Sequence, residues 1–184
     1  MLDAAVRIVA ERGLDYLTLA ECGEAAGYSR GLAAHYFGSK DALIAAIAHH
    51  IVDEFVQHAR GGSRGRKGLE GLLSAVEFYI QNGRNRVLQL RAFNAVLSAC
   101  STHPELATAI ATLNRESAAN FARGLRACIK QGAVRSDIDP QVQARILIAT
   151  LRGVMTQWLL DPHEVDLDSM TKELLTSLRR SLAP

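Results

Sequence analysis

The chain has 184 residues, 48% of them hydrophobic and 22% charged, with a formal net charge of +2. That length holds one large domain or two small ones with cores of their own, and so small a charge does not by itself imply a polyanionic partner. Its longest apolar stretches, such as ALIAAIAHHIV and RILIATLRGVMTQWLL, are broken by His or Arg and fall short of the roughly 20 apolar residues that span a bilayer.

Apolar residues recur at helical spacing almost throughout, and β-branched runs with period two are missing, so the chain reads as all-α. Leu2, Ala5, Val6, Val9 and Ala10 form one stripe of a first helix, which Gly13 stops in the manner of a C′ glycine. No basic segment followed by an apolar one opens the chain, so a signal peptide is not expected and a cytoplasmic location is. Thr18-Leu-Ala-Glu21 has the form of a capping box, the threonine hydroxyl accepting from the N–H three residues on and the glutamate reaching back. It starts a short second helix from about Leu19 to Ala26. Gly27 punctuates, Ser29 caps a third helix to about Phe37, and Ser39 caps a fourth through Leu43, Ile44, Ile47, Ile51, Val52 and Phe55 to about Arg60. RGGSRGRKG, Arg60 to Gly68, is the clearest break: glycines and bases in this density predict a flexible basic loop over 60–68. Further helices are expected at about Leu69 to Gln81, Arg84 to Cys100, Pro104 to Gln131, Pro140 to Leu160 and Leu167 to Leu182, with Pro104 and Pro140 in first turns, where a missing N–H does no harm.

Two short helices joined by a tight glycine turn make a helix-turn-helix, whose second helix enters the DNA major groove. A helix meant for a groove about 12 Å wide cannot carry bulky residues on its leading face, and SRGLAAH offers Gly31, Ala33 and Ala34 for close approach. Arg30 can pair with a guanine edge or a phosphate, and Leu32 or Ala34 can meet a thymine methyl. His35, Tyr36, Lys40 and the helix N–H groups at Ser39 are placed to hold phosphates, as are Thr18 and Ser29 at the starts of their helices. The candidate DNA contacts are therefore Thr18, Ser29, Arg30, Gly31, Leu32, Ala34, His35, Tyr36, Ser39 and Lys40.

MLDAAVRIVAERGLDYLTLAECGEAAGYSRGLAAHYFGSKDALIAAI resembles the DNA-binding domain of the tetracycline-repressor (TetR) family of bacterial transcription regulators. AERG, the threonine cap, AGYSRG, HYF and SKDAL stand in that family's order and spacing. GAVRSDIDPQVQARILIATLRGVMTQWLLDP is similar to the last-but-one helix of many members. The resemblance implies about nine helices, a homodimer on a palindromic double-stranded operator, and a small-molecule effector pocket in the C-terminal part. It implies a helix-turn-helix domain over residues 1–48, an effector-binding and dimerisation domain over 49–184, and no cofactor. Where many members have Gly-Thr-Leu-Tyr, this chain has Gly31-Leu32-Ala33-Ala34, and Cys22-Gly23 stands for the usual Ile-Ala. Residues 1–54 carry four bases (Arg7, Arg12, Arg30, Lys40) against eight acids. Met1 falls almost inside the first helix, where members often have a basic extension. Both features imply weak non-specific affinity or a shortened start, because counterion release scales with the bases that meet phosphate.

Apolar faces on the last two helices suit a four-helix seam between two copies: Leu147, Leu151, Val154 and Trp158 on one, Met170, Leu174 and Leu178 on the other. Gly153 would permit close approach. Phe78, Phe93, Leu97, Phe121, Leu125, Met155 and Trp158 are candidates for lining the effector pocket, with Arg91 and Arg152 available to an anionic ligand group, a snorkel or an ion pair. Cys22, Cys100 and Cys128 are far apart and odd in number, which argues for reduced thiols and against a disulfide scaffold or a zinc site. His49 and His50 are adjacent, on different helix faces, and do not form an i, i+4 metal pair; His58, His103 and His163 read as linker or cap residues. No nucleophile with a base and orienting group, no paired carboxylates and no glycine-rich phosphate loop suggest an enzyme. The alternative to a DNA-binding repressor is a dimeric helical small-molecule-binding protein whose helix-turn-helix no longer reads sequence.

Overall fold

A computed structural model of the chain describes residues 1–62 and 68–184, with the side chains of 52, 55–62 and 105 outside the description. Residues 63–67 of the expected basic loop, and the Val52, Phe55 and His58 side chains, therefore lie outside the described residues. Among those described there are nine α-helices and no strand: α1 (Leu2–Arg12), α2 (Leu19–Ala25), α3 (Arg30–Phe37), α4 (Lys40–Gly62), α5 (Gly68–Asn85), α6 (Val87–Ala99), α7 (Pro104–Lys130), α8 (Pro140–Leu160) and α9 (Leu167–Leu182). A 3-10 turn, Leu14–Tyr16, joins α1 to α2; three residues are too few to leave a periodic signature. No helix is long and apolar enough to cross a membrane among the described residues.

Local chemistry sets the helix ends. Gly13 has φ 91° and ψ 170°, so it ends α1 by turning the chain outright and not in the left-handed helical conformation expected of a C′ glycine; its N–H still closes onto the Val9 carbonyl at 3.0 Å. Asp139 accepts from the N–H of Gln141 at 2.7 Å and of Val142 at 3.2 Å, with Pro140 as first residue of α8. Asp166 does the same for α9 through Asp168 and Ser169. Both carboxylates satisfy orphan donors and meet the positive end of the helix dipole. α5 continues past Gln81 to Asn85. Gly83, near its end, is a packing site: an added Cβ would lie 2.7 Å from Met155 Cε.

The described residues form two compact units. One comprises Met1–Glu54 with Arg86–Leu113. In it α1 packs on α2, on the 3-10 turn and on α6, and α3 packs on α2. Its core is Val6, Val9, Leu17, Leu43, Ile44, Ile47 and Ile51 with Leu90, Val96, Leu106 and Ile110, all buried; each such side chain contributes roughly 1.5–3 kcal/mol on burial. Glu54 of α4 meets Arg86 at 2.7 Å and His50 meets Asp3 of α1 at 2.9 Å. The second unit comprises Phe55–Asn85 with Asn114–Pro184, in which α5 packs on α8 and α9. Glu70 near the start of α5 takes Arg179 at the end of α9, and Arg84 in the last turn of α5 takes Asp168 in the first turn of α9, both at 2.9 Å. Two such pairs at opposite ends hold α5 and α9 antiparallel and in register, although exposed pairs add only about 0.2–1 kcal/mol each.

Candidate nucleic-acid interface

The helix-turn-helix is assembled from small residues at the crossing of α2 and α3. Gly27 takes φ 78° in the turn, a conformation that costs a side-chain-bearing residue. The Tyr28 N–H then bonds the Gly23 carbonyl at 2.9 Å. Gly23 itself is the point of closest approach: a Cβ there would stand 2.7 Å from the backbone oxygen of Ser29. The substitution of Cys22-Gly23 for Ile-Ala thus has a physical reason, since glycine admits the backbone of the turn and Cys22 fills the interior, fully buried.

α3 presents nearly everything it has. Ala33 is the one residue of it that is buried, at 0% exposure, which corrects the expectation that it faces the groove; its methyl is the side chain α3 turns inward on α2. All ten candidate contacts, Thr18, Ser29, Arg30, Gly31, Leu32, Ala34, His35, Tyr36, Ser39 and Lys40, are exposed. Tyr36, at 72% exposure, leans edge-on to Phe37 with ring centroids 4.8 Å apart. No heavy atom among the described residues comes within 4 Å of a Cβ built on Gly31.

The caps do double duty. Thr18 Oγ1 accepts from the Glu21 N–H at 3.1 Å and Ser39 Oγ accepts from the Ala42 N–H at 3.1 Å, leaving each hydroxyl proton to be donated outward beside the first N–H groups of α2 and α4. Two details depart from expectation. The Glu21 carboxylate turns away from the Thr18 N–H to the guanidinium of Arg12, which also lies 4.9 Å over the Tyr16 ring, so only half the capping box forms; a charge-assisted bond outcompetes a neutral donor. Ser29 stands at the N-cap of α3 with φ −67° and ψ 151° but makes no side-chain cap bond. Arg30 Nε donates to Glu24, and that carboxylate holds the guanidinium pKa above its ordinary value.

The remaining candidates are distributed over both units. Phe93 and Leu97 belong to the first, and Phe78, Phe121, Leu125, Met155 and Trp158 to the second. Phe93, Leu125 and Met155 are buried; Phe78, Leu97, Phe121 and Trp158 are partly so. A surface depression of about 620 Å³ beside Val134, Arg135 and Asp137 contains none of them. Leu147, Leu151, Val154 and Leu178 are at most 8% exposed within a single chain; helical periodicity marks an apolar face without saying whose core it joins. Trp158, Met170 and Leu174 are partly exposed. The apolar residues α8 shows to solvent are Val142 and Ile146, at 53% each, Ala149, and Leu160 at 80%. Gly153 falls on the same stripe, with nothing among the described residues within 4 Å of an added Cβ. Arg91 is exposed, whereas Arg152 is partly buried and bonded to the Tyr79 phenol; burial pushes the Tyr79 pKa up and that of Arg152 down. Burial likewise raises all three thiols, keeping them protonated and poor metal ligands.

Two family descriptions match successive parts of the chain. The family described as "Bacterial regulatory proteins, tetR family" matches residues 1–47, and "BetI-type transcriptional repressor, C-terminal" matches residues 69–183. The chain is 29% identical over 187 residues to the HTH-type transcriptional repressor KstR2 of Rhodococcus jostii, covering all of this chain and 89% of that protein. The transcriptional regulator FadR of Bacillus subtilis, solved with stearoyl-CoA, has the same fold: TM-score 0.85 at 17% identity, over 98% of this chain and 97% of that one. A transcriptional regulator of Saccharomonospora viridis solved with choline gives TM-score 0.83 at 19% identity, over 100% and 95%.

Proposed function

Because the chain belongs to the TetR family of bacterial transcriptional regulators, we propose that it acts in the cytoplasm as a homodimer that holds a palindromic operator and releases it when a small molecule binds. As a member it is a ligand-responsive transcriptional repressor and not an enzyme. Residues 1–48 read the DNA, and residues 49–184 take the effector and join the two copies. The observation that carries the reading is the surface of α3: its single fully buried residue is a methyl, and Arg30, Leu32, Ala34, His35 and Tyr36 stand exposed between two capped helix starts. Arg30 reads a guanine edge, Leu32 and Ala34 read thymine methyls, and the hydroxyls of Thr18 and Ser39 with Lys40, His35 and Tyr36 grip phosphates. Two copies set their recognition helices about 34–36 Å apart, one turn of the duplex. The exposed residues Val142, Ile146, Ala149 and Leu160, with the half-buried Gly153 on the same stripe, support α8 as part of the seam.

Release follows from linkage. An effector that favours one conformation weakens the operator by the factor by which the operator weakens it. α4 contributes residues to both compact units and is the element through which occupancy shifts the spacing of the recognition helices. Stearoyl-CoA in one relative and choline in another differ in size and charge, so the effector is to be sought in this chain's own side chains. Selection of duplexes from a random pool by the purified protein, followed by a salt series on the winners, tests the proposal. A palindromic winner with a steep salt slope is the expected result; no enrichment at low salt would leave a ligand-binding dimer that does not read DNA.

A further inference from the structure

One imidazole in the first compact unit faces two carboxylates. His50 and Glu54, at i and i+4, share a face of α4, and Asp3 comes to them from α1, 47 positions before His50. His50 Nε2 lies 2.9 Å from Asp3 Oδ1 and 4.0 Å from Glu54 Oε1, and one ligand atom from each residue falls within 4.8 Å of the other two. No other three of His, Cys, Asp or Glu come together so closely among the described residues. A ring nitrogen carries one proton or one lone pair. A proton on Nε2 serves Asp3 alone, because 4.0 Å is beyond a hydrogen bond, whereas a cation among the three serves both carboxylates.

The separations suit a small ion. Zinc with nitrogen and oxygen ligands at about 2.0–2.2 Å in a tetrahedron sets neighbouring ligand atoms about 3.3–3.6 Å apart, a spacing that 2.9 and 4.0 Å bracket. Arg86, ahead of α6, holds Glu54 Oε2 at 2.7 Å; ligating carboxylates are themselves commonly hydrogen-bonded, which fixes their orientation. The side chains of His50 and Glu54 are 26% exposed and that of Asp3 is 89% exposed, so an ion enters from solvent on the Asp3 side and keeps a water there. One imidazole with two carboxylates and no thiolate selects a first-row divalent cation over copper(I) or magnesium. We propose that Asp3, His50 and Glu54 bind such a cation, zinc foremost, with water as fourth ligand, and that the ion clips α1 to α4. The clip is an input to the unit that carries the helix-turn-helix, separate from any small-molecule effector, and it stands or falls independently of the operator.

The test titrates the full chain, carrying no histidine tag and freed of metal by a chelator, with cobalt(II) chloride and then zinc chloride. One cobalt ion per chain should bind with visible ligand-field absorption and no sulfur-to-metal band in the near ultraviolet, and zinc should displace it. Asp3→Asn keeps the size of an exposed side chain and removes its charge; it should weaken both metals about tenfold or more, since even outer partners of a metal site are worth 10–100-fold. His50→Ala should abolish binding, and Asp3→Asn keeps the test open should that variant fail to fold. His163→Ala, in the exposed loop after α8, should change nothing. Zinc should also raise the unfolding midpoint of the unaltered chain and leave that of Asp3→Asn in place, whereas a plain ion pair between Asp3 and His50 gives a midpoint that ignores zinc in both. Absence of one-to-one binding, unchanged affinity in Asp3→Asn, loss of binding in His163→Ala, or a sulfur band that puts the ion on a cysteine overturns the site.

Discussion

Replacing Gly23 by alanine would place a methyl carbon 2.7 Å from the Ser29 carbonyl oxygen, 3.6 Å from its carbon and 3.7 Å from the Arg30 Cα. Every one of those atoms is backbone, and the oxygen is held by the Leu32 N–H at 3.1 Å, so no side chain can rotate out of the way. Ordinary contact begins near 3.4 Å, and α3 must therefore move by about 0.7 Å against α2. On an exposed helix, alanine gains about 0.8–1 kcal/mol over glycine; overpacking costs about 1–3 kcal/mol. With backbone on the far side the upper part of that range applies, for a net loss of about 1–2 kcal/mol. In a chain of this size each kcal/mol shifts Tm by about 2–4 °C, which a thermal or denaturant melt resolves. The displacement would also separate the proposed phosphate grip at Thr18 from the proposed base contact at Arg30, so fluorescence anisotropy on the selected duplex should show about a tenfold loss of affinity or more. A Gly23→Ala protein more stable by about 1 kcal/mol and unchanged on DNA would refute the close-approach argument.

Gly31→Ala offers the opposite pattern. Its Cβ meets open space, so melts should show a gain of about 0.8–1 kcal/mol while affinity for the operator falls; a gain without a loss would show that this face stays clear of the groove. Arg30→Ala should flatten base preference in a second round of duplex selection, whereas Lys40→Ala should weaken all duplexes alike and reduce the salt slope by about one; equal effects from both would end that division of roles. Gly153→Ala should stabilise α8 by a similar propensity gain yet raise the dissociation constant of the dimer on dilution, and an unchanged constant would move the seam elsewhere. Asp166 caps α9, and its bonds from Ser169 hold the carboxyl below the usual range. Its contribution to stability is fully present above the unfolded-state value near pH 4 and disappears as the pH falls through the lower folded value. Unfolding of Asp166→Asn followed from pH 6 to 2 should accordingly show a shallower acid decline, and identical slopes would count against the cap.

What the sequence discloses of this molecule is what a few neighbouring atoms decide. Thr18, Ser39, Pro104 and Pro140 mark helix starts because a hydroxyl or a missing N–H acts within one turn. The exposure of α3 is legible for the same reason: a helix with so few large side chains has little to bury. Partnership between distant segments is not legible. Glu21 finds Arg12 because the turn carries it there, and the Tyr79 bond to Arg152 exists only once α5 and α8 pack. Leu147, Leu151 and Val154 form as good a stripe as Val142, Ile146 and Leu160, and nothing in their spacing tells an inner face from an outer one. Gly23 carried a signal in its departure from the family pattern, but its meaning depends on the position of Ser29.

The ion pair between Glu24 and Arg30 bears on how such a protein searches a genome. On the proposed assignment, α3 would arrive at the bases with Arg30 already occupied by a carboxylate of the same chain. A phosphate on an arbitrary duplex merely exchanges one anion for another there, with little counterion release to reward it. A guanine edge in register gives the guanidinium two acceptors at once, and the exchange becomes worthwhile only at the right base. If Arg30 reads a base as proposed, wrong sites would hold each molecule briefly, and the ratio of specific to non-specific occupancy would rise without any gain in absolute affinity.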